Sequence, residues 1–289
     1  MARVLIAGCG YVGTALAERL AGAGHQVFAL RRSAAEWPAG IVPIRADLSD
    51  IDSLRSLPPS LDFVFYAASA DGGDDRSYRS AYVDGLRYLL AALEGQELRR
   101  LFFTSSTGVY AQTEGEWVDE DSPAEPKHFT GIRLLEGEHL ALGGRFPATV
   151  VRLAGIYGPG RARLLARVRS GEAAIASRMV YASRLHRDDC VALLHHLMTL
   201  DSPRTLYLAA DHDPAEMGAV IRWIAERLGV EPRRASGDAD ARVRYGRTAN
   251  KRVRNTRLLA SGYRFRYSTF REGYGELIRE SEPGREIHE

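Results

Sequence analysis

The sequence predicts an α/β fold in which a doubly wound parallel sheet is joined to a small C-terminal lobe. Three observations support this fold class. Short apolar runs alternate with helical patterns along roughly the first two hundred residues, which is typical of a parallel sheet covered by helices on both faces. The first apolar run leads through a glycine-rich turn directly into a helical pattern. After Gly158-Pro159-Gly160-Arg161 the alternation loosens, which indicates a second, smaller unit.

The predicted strands are short runs rich in β-branched and aromatic residues, bounded by polar or glycine-containing segments. In chain order they are residues 3–7, 26–30, 41–44, 62–66, 100–103, 149–153 and 205–208. Helices are predicted where apolar residues recur every three or four positions, as do Tyr82, Leu86, Leu89 and Leu90. In chain order the helices are residues 14–20, 77–93, 130–142, 188–200 and 214–228. The acidic, proline-bearing stretch 112–127 is predicted to be a surface loop, and the polar tail 280–289 is predicted to fray.

The glycine-rich turn has the spacing G-x-G-x-x-G and reads Gly8-Cys9-Gly10-Tyr11-Val12-Gly13. Gly8 permits a tight turn, Gly10 lets the backbone approach a pyrophosphate, and Gly13 lets the helix pack closely on the strand. The helix N-terminus adds free N–H groups and a positive potential. We therefore predict a Rossmann-type domain in which Gly8, Gly10, Tyr11, Val12 and Gly13 bind a dinucleotide.

The change of pattern after residue 158 suggests how the chain is divided. We expect the Rossmann-type, NAD(P)-binding domain to comprise residues 1–155 and 184–210. The small substrate-binding lobe is then formed by residues 156–183 and 211–289. No internal repeat or low-complexity linker interrupts this layout.

The end of the second predicted strand indicates which dinucleotide is bound. In this architecture an acidic residue at that position binds the ribose 2′-OH of NAD, whereas arginine accommodates the 2′-phosphate of NADP. Arg31 and Arg32 follow the strand, about twenty residues after the glycine turn, and no acidic residue accompanies them. NADP is therefore the predicted cofactor, with NAD as the alternative. The alternative interpretation of the two arginines is that they are solvated loop residues without a role in cofactor binding.

Two further strand ends are predicted to contact the cofactor. Asp47-Leu48 suits the adenine ring, because a carboxylate accepts a hydrogen bond from its amino group while leucine covers the ring. Asp47 has an equally good alternative role as the cap of the next helix. Ala67, Ala68 and Ser69 place small residues where a cofactor would press on the backbone, although strand-end geometry alone also explains them.

Composition excludes several classes of function. The net charge of +2 argues against a strong electrostatic attraction to nucleic acid or membrane, and no apolar run approaches the ~20 residues of a membrane span. Two cysteines cannot form a disulfide framework, and no secretory signal is evident, so a reducing cytoplasm is the expected compartment. We expect a monomer or homodimer acting on a small molecule.

Several motifs, taken in order, resemble those of the extended short-chain dehydrogenase/reductases of the NAD-dependent epimerase/dehydratase family, and especially its atypical YeeZ-like branch. The resemblance covers nearly the whole chain and implies a nicotinamide cofactor and a substrate of the nucleotide-sugar class. The motifs are the glycine turn, Asp47-Leu48, Thr104-Ser105-Ser106-Thr107-Gly108-Val109-Tyr110, Arg152-Leu153-Ala154-Gly155-Ile156-Tyr157-Gly158-Pro159-Gly160, Leu185-His186-Arg187-Asp188-Asp189, Asn250-Lys251-Arg252, Gly262-Tyr263 and Gly273-Tyr274.

The family's chemistry uses a serine or threonine, a tyrosine, and a lysine four residues after that tyrosine. Ser106 matches the serine, but no Tyr-x-x-x-Lys occurs here. The only lysines are Lys127 and Lys251, and Pro123 and Arg247 stand four residues before them. A phenol has a pKa near ~10 and needs such a lysine to act as a base at neutral pH. The usual mechanism is therefore not supported.

The helix at 130–142 occupies the place of the missing pair. Aligning Glu138 with the family's glutamate puts Thr130 in the tyrosine position and Leu134 in the lysine position. The alternative register gives Phe129 and Arg133. Thr130 and Arg133 share a helix face, so Ser106, Thr130 and Arg133 are the candidate catalytic residues. Threonine is a much poorer acid than tyrosine and is expected to orient a substrate.

Other candidates carry weaker signals. Leu153 is predicted to contact the cofactor, and Tyr110 is interpreted as structural. Arg161 suits a phosphate or carboxylate of the substrate, with a surface arginine as the alternative. His186, next to Asp188 and Asp189, suggests an acid–base pair or a metal site, but the resemblance places it at the start of a helix touching the substrate cleft, with an aspartate near the N-cap. No metal is expected.

Two hypotheses about function follow. The first is an NAD(P)-dependent oxidoreductase or epimerase of the nucleotide-sugar type, with another group in place of the tyrosine. The second is a non-catalytic NADP(H)-binding regulator that senses redox state, as NmrA-like proteins do. The cofactor motifs favour the first hypothesis, and the missing tyrosine–lysine pair favours the second.

Overall fold

The computed structural model describes residues 1–234 and 250–281. Its strands are β1 (Arg3–Ala7), β2 (Gln26–Arg31), β3 (Ile41–Arg45), β4 (Phe63–Tyr66), β5 (Arg100–Ser106), β6 (Glu116–Val118), β7 (Ala148–Leu153), β8 (Gly155–Tyr157), β9 (Ala174–Ile175), β10 (Arg184–His186), β11 (Leu206–Ala209), β12 (Arg233–Arg234) and β13 (Lys251–Val253). Its α-helices are α1 (Tyr11–Gly22), α2 (Asp75–Arg79), α3 (Gly85–Ala92), α4 (Phe129–Leu142), α5 (Arg163–Arg169), α6 (Arg187–Thr199), α7 (Met217–Leu228), α8 (Thr256–Ala260) and α9 (Phe270–Glu280). None of these helices is long and apolar enough to span a bilayer.

The central sheet has the strand order β11-β7-β5-β4-β1-β2-β3, and every neighbouring pair in it is parallel. Side chains of β1 alternate between its faces, so that Val4 and Ile6 join one apolar cluster and Leu5 and Ala7 join another. Helices α1 and α6 pack on the first face, and α3 and α4 on the second. The predicted doubly wound Rossmann-type fold is confirmed.

The predicted elements agree with the structure to within a few residues, apart from some differences in bounds and from short elements that were not predicted. Strand β5 continues to Ser106. The helix predicted at 214–228 begins only at Met217, where the side chain of Glu216 caps the N–H groups of Gly218 and Ala219. The loop predicted at 112–127 contains β6, which pairs with β13 from the C-terminal region. This pairing joins residues far apart in the sequence, so no local pattern announces it.

The helix predicted at 77–93 is interrupted by one turn of π-helix at Ser80–Asp84, between α2 and α3. The Tyr66 hydroxyl, at the end of β4, donates to the carbonyl of Ala81 in that turn. A side chain that bonds a helical carbonyl in this way disturbs the regular hydrogen-bond ladder. The interruption therefore comes from a neighbouring strand and not from the helix's own sequence.

A third apolar cluster lies within the segments predicted to form the lobe. It joins α5, α7 and α9 through residues such as Leu165, Ile221 and Phe270. Leu258 and Tyr263, also in the predicted lobe, pack instead against the α1 and α6 face of the sheet. The domain boundaries stay a prediction, and the tail from residue 282 lies outside the described residues.

Candidate functional site

The glycine turn between β1 and α1 is held by backbone contacts. Gly8 has φ +104°, a conformation that only glycine adopts easily. The N–H groups of Gly8 and Cys9 both donate to the carbonyl of Leu30, at 3.1 and 3.0 Å. A Cβ atom on Gly8 would lie 2.4 Å from the backbone nitrogen of Ala68. The turn is therefore packed between the ends of β2 and β4, which is consistent with the predicted tight turn at Gly8.

Gly10 and Gly13 have different surroundings. A Cβ on Gly10 would meet nothing within 4 Å, so the backbone there is open to a ligand. A Cβ on Gly13 would lie 2.3 Å from the carbonyl oxygen of Gly8, which confirms that close packing requires glycine at this position. Helix α1 begins at Tyr11 and presents its unpaired first-turn N–H groups at this turn.

A cavity of about 390 Å³ opens from the glycine turn along the carboxyl ends of β1, β2 and β4. It brings together nine of the predicted cofactor residues: Gly8, Gly10, Arg31, Arg32, Asp47, Leu48, Ala67, Ala68 and Ser69. Tyr11, Val12, Gly13 and Leu153 are not among the residues that line it. The lining also contains residues that sequence reasoning missed: Cys9, Leu30, Ser33, Ala46, Ser49, Asp71, Arg76, Ser77, Ser80 and Ala81.

The two arginines at the end of β2 lie on the cavity wall. The Arg31 guanidinium donates to the hydroxyl of Ser33 at 2.8 Å. Arg32 forms an ion pair of 2.6 Å with Asp71, which lies in the loop after β4, and both side chains are more than half exposed. Arg76, the second residue of α2, adds a third arginine to the lining of the same cavity. It lies in a segment without a recognised cofactor motif.

The structure tests one of the two roles considered for Asp47, that of a helix cap. Its Oδ1 accepts hydrogen bonds from the N–H and the hydroxyl of Ser49. The short 3₁₀ helix that follows, Ile51–Leu54, is capped instead by Asp50, whose side chain accepts from the N–H of Asp52. The helix-capping interpretation of Asp47 is therefore wrong. Its predicted contact with adenine stays a prediction, and Asp47 lines the cavity.

Ser106 ends β5 at the same edge of the sheet. Its Oγ accepts a hydrogen bond from the N–H of Gly108 at 3.1 Å. The N-terminus of α4 packs on this loop, because a Cβ on Gly131 would lie 2.6 Å from the carbonyl oxygen of Gly108. Thr130, which precedes Gly131, is therefore brought beside the loop that follows Ser106.

Thr130 and Arg133, predicted to share a helix face, have separate partners in the structure. Thr130 is hydrogen-bonded to Nδ1 of His128 at 3.1 Å, and sequence reasoning missed this histidine. The Arg133 guanidinium is engaged by two carboxylates, those of Asp75 at 2.7 and 2.9 Å and Glu136 at 2.8 and 2.9 Å. The Thr130 hydroxyl thus has an imidazole partner, whereas Arg133 belongs to an ion-pair cluster. A catalytic role for Arg133 stays a prediction.

A buried polar network supports this part of the site. The guanidinium of Arg152 on β7 pairs with the carboxylate of Glu138 on α4 at 2.6 Å, and both side chains are almost fully buried. Ser105 also donates to Glu138, and Arg152 donates to the Tyr110 hydroxyl at 2.6 Å. Burial raises the pKa of Tyr110 to about 12, against the opposing charge of Arg152. The structural interpretation of Tyr110 therefore fits its surroundings.

Lys251 on β13 fixes the loop after Ser106 from the other side. Its Nζ donates to the carbonyls of Tyr110 and Thr107, at 2.7 and 3.3 Å. The side chain is buried, and this burial lowers its pKa to about 8, although the charge of Glu116 opposes the shift.

Because of this lowered pKa, Lys251 is expected to add to the stability of the protein as the pH rises between about 8 and about 10. In that interval the folded state releases the Lys251 proton while the unfolded chain, with a lysine pKa near ~10.4, keeps it, which contributes about 2 kcal/mol to the free energy of unfolding. The buried thiols of Cys9 and Cys190, whose pKa values burial raises, act in the opposite direction in every variant compared. In urea denaturation over this range, the wild type and Lys127→Met, which removes an exposed lysine, should therefore both gain about 2 kcal/mol relative to Lys251→Met. An equal gain in Lys251→Met would contradict the assignment.

On the side of the predicted lobe, Arg161 lies over the ring of Tyr11, 5.5 Å from its centroid. The Tyr11 hydroxyl donates to the carbonyl of Pro159. His186 is buried, and its Nδ1 accepts from the N–H of Asp188, so the histidine itself is the N-cap of α6. Its ring packs against Tyr267, with centroids 3.8 Å apart. His186 therefore lies in the packed interior, and its contact with a substrate stays a prediction.

Asp188 and Asp189, predicted near the N-cap, occupy the first turn of α6. Asp189 is buried and accepts from the Tyr263 hydroxyl and from the N–H groups of Arg266 and Tyr267. Within residues 1–234 and 250–281, no group of three His, Cys, Asp or Glu side chains is placed to hold a metal ion. Both cysteines are buried free thiols.

The sequence pattern of the NAD dependent epimerase/dehydratase family matches residues 4–206, which contain the glycine turn, the cavity and the Ser106 loop. The chain belongs to this family. Protein YeeZ of Escherichia coli K12 is 27% identical over 250 residues, covering 80% of this chain and 86% of YeeZ. The predicted resemblance to atypical extended short-chain dehydrogenase/reductases is confirmed.

Other relatives match shorter segments. A UDP-glucose 4-epimerase of Streptomyces lividans is 31% identical over 148 residues, covering 47% of this chain. The alignment spans 45% of that epimerase, so the chain matches less than half of the length of this relative.

Solved structures extend the comparison to the whole fold. A protein of Methylobacillus flagellatus assigned as an NAD-dependent epimerase/dehydratase is 38% identical, with a TM-score of 0.79 and coverage of 96% of this chain and 98% of its own. Two more distant structures show the fold alone. MoeE5 with UDP-glucuronic acid and NAD is 21% identical over 97% of this chain and 99% of its own (TM-score 0.79). The human epimerase family protein SDR39U1 with NADPH is 20% identical, covering 96% of this chain and 99% of its own (TM-score 0.78).

Proposed function

We propose that this family member is an NADP(H)-dependent oxidoreductase or epimerase that acts in the cytoplasm on a small molecule of the nucleotide-sugar class. The observation that carries the proposal is the cavity of about 390 Å³, which joins the glycine turn to Arg31 and Arg32 at the end of β2. Structural neighbours contain either NAD or NADPH, so the fold accepts both dinucleotides. The two arginines favour the phosphorylated one.

The residues present fit a dinucleotide. The open space above Gly10 and the first-turn N–H groups of α1 suit a pyrophosphate. Arg31 and Arg32 suit a 2′-phosphate, with Arg76 close by on the same cavity. Asp47 and Leu48 suit adenine. When bound, such a cofactor would supply or accept a hydride at its nicotinamide ring.

The chain's own residues bind and orient the reacting molecule. Because the Oγ of Ser106 accepts a hydrogen bond from the N–H of Gly108, its own proton remains free to be donated to a substrate oxygen. Arg161 is exposed beside the Gly158 turn and suits a substrate diphosphate. The nucleotide sugars bound by MoeE5 support this substrate class.

Calorimetry tests the proposal. Ligand-stripped protein titrated with NADP, NADPH, NAD and NADH is expected to bind the phosphorylated forms more tightly. Equal or tighter binding of NAD would reject the preference, and the absence of heat from all four would reject the proposal as a whole. UDP-glucose and UDP-glucuronic acid, added with NADP, then serve as substrate probes.

One observation favours the second candidate, a regulator that binds NADP(H) without turnover. The position that resembles the family's tyrosine holds Thr130, whose hydroxyl is a very weak acid. Tight NADPH binding together with no turnover of any sugar nucleotide would support this alternative.

A further inference from the structure

The enzyme proposed above needs a group that exchanges a proton with the substrate oxygen. Near Ser106 the structure offers few such groups. Tyr110 is buried, its hydroxyl donates to the carbonyl of Asp119, and Arg152 binds it from the other side. The amine of Lys251 is bound to two backbone carbonyls. Neither group is available to a ligand.

His128 differs from these groups in both exposure and contacts. It is exposed, immediately precedes α4, and caps that helix through its side chain. Its Nδ1 lies 3.1 Å from the Oγ1 of Thr130. Helix α4 holds this pair beside the loop that follows Ser106, through the contact of Gly131 with Gly108. Histidine is the side chain whose ordinary pKa suits proton exchange near neutral pH.

The contacts of Nδ1 fix the direction of the hydrogen bond. The backbone N–H of Thr130 also points at Nδ1, at 3.5 Å, and an N–H group can only donate. Nδ1 is therefore the acceptor, and the proton of the neutral ring resides on Nε2. The Thr130 hydroxyl must then donate to Nδ1. This leaves the lone pairs of Oγ1 free to accept a proton from elsewhere.

We propose that Thr130 and His128 form a proton relay that replaces the family's tyrosine, with Thr130 touching the substrate oxygen and His128 holding the proton. In the oxidising direction a substrate hydroxyl gives its proton to Oγ1 of Thr130 as Oγ1 gives its own to Nδ1 of His128. The carbon-bound hydrogen leaves with its electron pair for the oxidised dinucleotide. The products are a carbonyl, the reduced dinucleotide and an imidazolium.

The relay removes the chemical objection to threonine at this position. Oγ1 gains one proton as it loses another, so no free alkoxide forms. The Ser106 hydroxyl, whose own proton is free, would donate to the same substrate oxygen. The inference rests on the proposed function, because the relay has no task without a bound nicotinamide.

The charged groups around His128 are largely paired with one another. Asp75 on α2 and Arg133 and Glu136 on α4 form one ion-pair cluster. The ring of Phe129 contacts both the histidine and Tyr78 on α2. Its centroid lies 4.3 Å from that of His128 and 5.6 Å from that of Tyr78. Lys127 is the adjoining exposed residue. The hydrogen bond between His128 and Thr130 therefore lies beside this cluster and not within it.

NMR of protein labelled at its histidine rings tests the relay without a known substrate. The spectrum of the wild type should show an unprotonated Nδ1 at His128, assigned by loss of the signal in His128→Gln. The nitrogen signal of Nδ1 of His128 should move in Thr130→Val, because the hydroxyl that donates to it is lost. His139, at the far end of α4, is the matched control, and its signals should be unchanged in that variant.

The outcomes separate the two proposals. Calorimetric binding of both dinucleotides, together with the neutral-ring proton on Nδ1 of His128 or with an Nδ1 signal unchanged in Thr130→Val, overturns the relay and leaves the proposed function standing. Absence of binding overturns the proposed function and the relay with it. In Thr130→Val, a shape-conserving change, the relay predicts that any turnover of UDP-glucose falls at least tenfold while NADPH binding is retained. Unchanged turnover would overturn the relay.

Discussion

Replacement of Arg31 and Arg32 by alanine is expected to weaken NADP binding by about a hundredfold or more and to leave NAD binding within about threefold of the wild type. A hydrogen bond to a charged group contributes about 1.5–3 kcal/mol, which corresponds to a roughly ten- to hundredfold change in affinity for each arginine. Both guanidiniums lie on the cavity wall, where the 2′-phosphate would reside. Only NADP carries that phosphate, so only NADP should be affected. Calorimetry with both cofactors measures the ratio.

Removing the carboxylate that pairs with Arg32 is a control that should change the affinity for NADP in the opposite direction. Asp71 holds the guanidinium from across the cavity and adds a negative charge near the expected phosphate. Asp71→Asn should therefore bind NADP a fewfold more tightly. Arg55→Ala removes an exposed arginine that is paired with Asp52 and lies outside the cavity lining. It should leave the affinities for NAD and NADP unchanged. An equal loss of NAD and NADP in the double arginine variant would show that the arginines do not read the phosphate.

Replacement of Arg152 by methionine is expected to lower the free energy of unfolding by about 3–5 kcal/mol. Removing one partner of a buried ion pair leaves the other charge desolvated and uncompensated. Here the Glu138 carboxylate would retain only the Ser105 hydroxyl, and Tyr110 would lose the donor to its oxygen. Because α4 carries Thr130 and packs on the Ser106 loop, the change should also loosen the candidate site. Urea denaturation measures the loss.

Two variants sharpen that experiment. Arg145→Met removes an exposed ion pair with Glu97, and such a pair is worth at most about 1 kcal/mol. Arg152→Met combined with Glu138→Gln no longer leaves a buried charge, so it should be more stable than Arg152→Met alone. If Arg152→Met cost no more than Arg145→Met, the buried pair would not support α4 as argued.

Much of the fold was predictable because its signals are local. The strand, turn and helix around Gly8, Gly10 and Gly13 lie within a few residues of one another, and Gly13 packs directly on the carbonyl of Gly8 in the same turn. Arg31 and Arg32 were recognisable because the end of β2 has a fixed place in this architecture. Nine predicted cofactor residues accordingly line one cavity.

The predictions that were wrong or incomplete depend on where helices begin and on contacts between distant segments. By sequence, Asp47 was equally good as an adenine contact and as a helix cap, and the position of the 3₁₀ helix, which Asp50 caps, excluded the second role. Arg76 reaches the cavity from a helix whose π turn is bonded to Tyr66, so its place depends on β4. His128 carried no motif, and its contact with Thr130 exists because α4 begins between them.

By itself, the order of apolar runs and glycines determined a parallel sheet with a nucleotide-binding turn, because backbone sterics and side-chain periodicity act over a few residues. The absence of a Tyr-x-x-x-Lys pair was likewise fixed by composition, since the chain has two lysines. Only the tertiary structure decided what surrounds Ser106: the Glu138–Arg152 pair, the Lys251 amine and the hydroxyl–imidazole pair. These groups come from three separate segments, α4 with the residue before it, β7 and β13, and desolvation and hydrogen bonding between them arise only once the chain has packed.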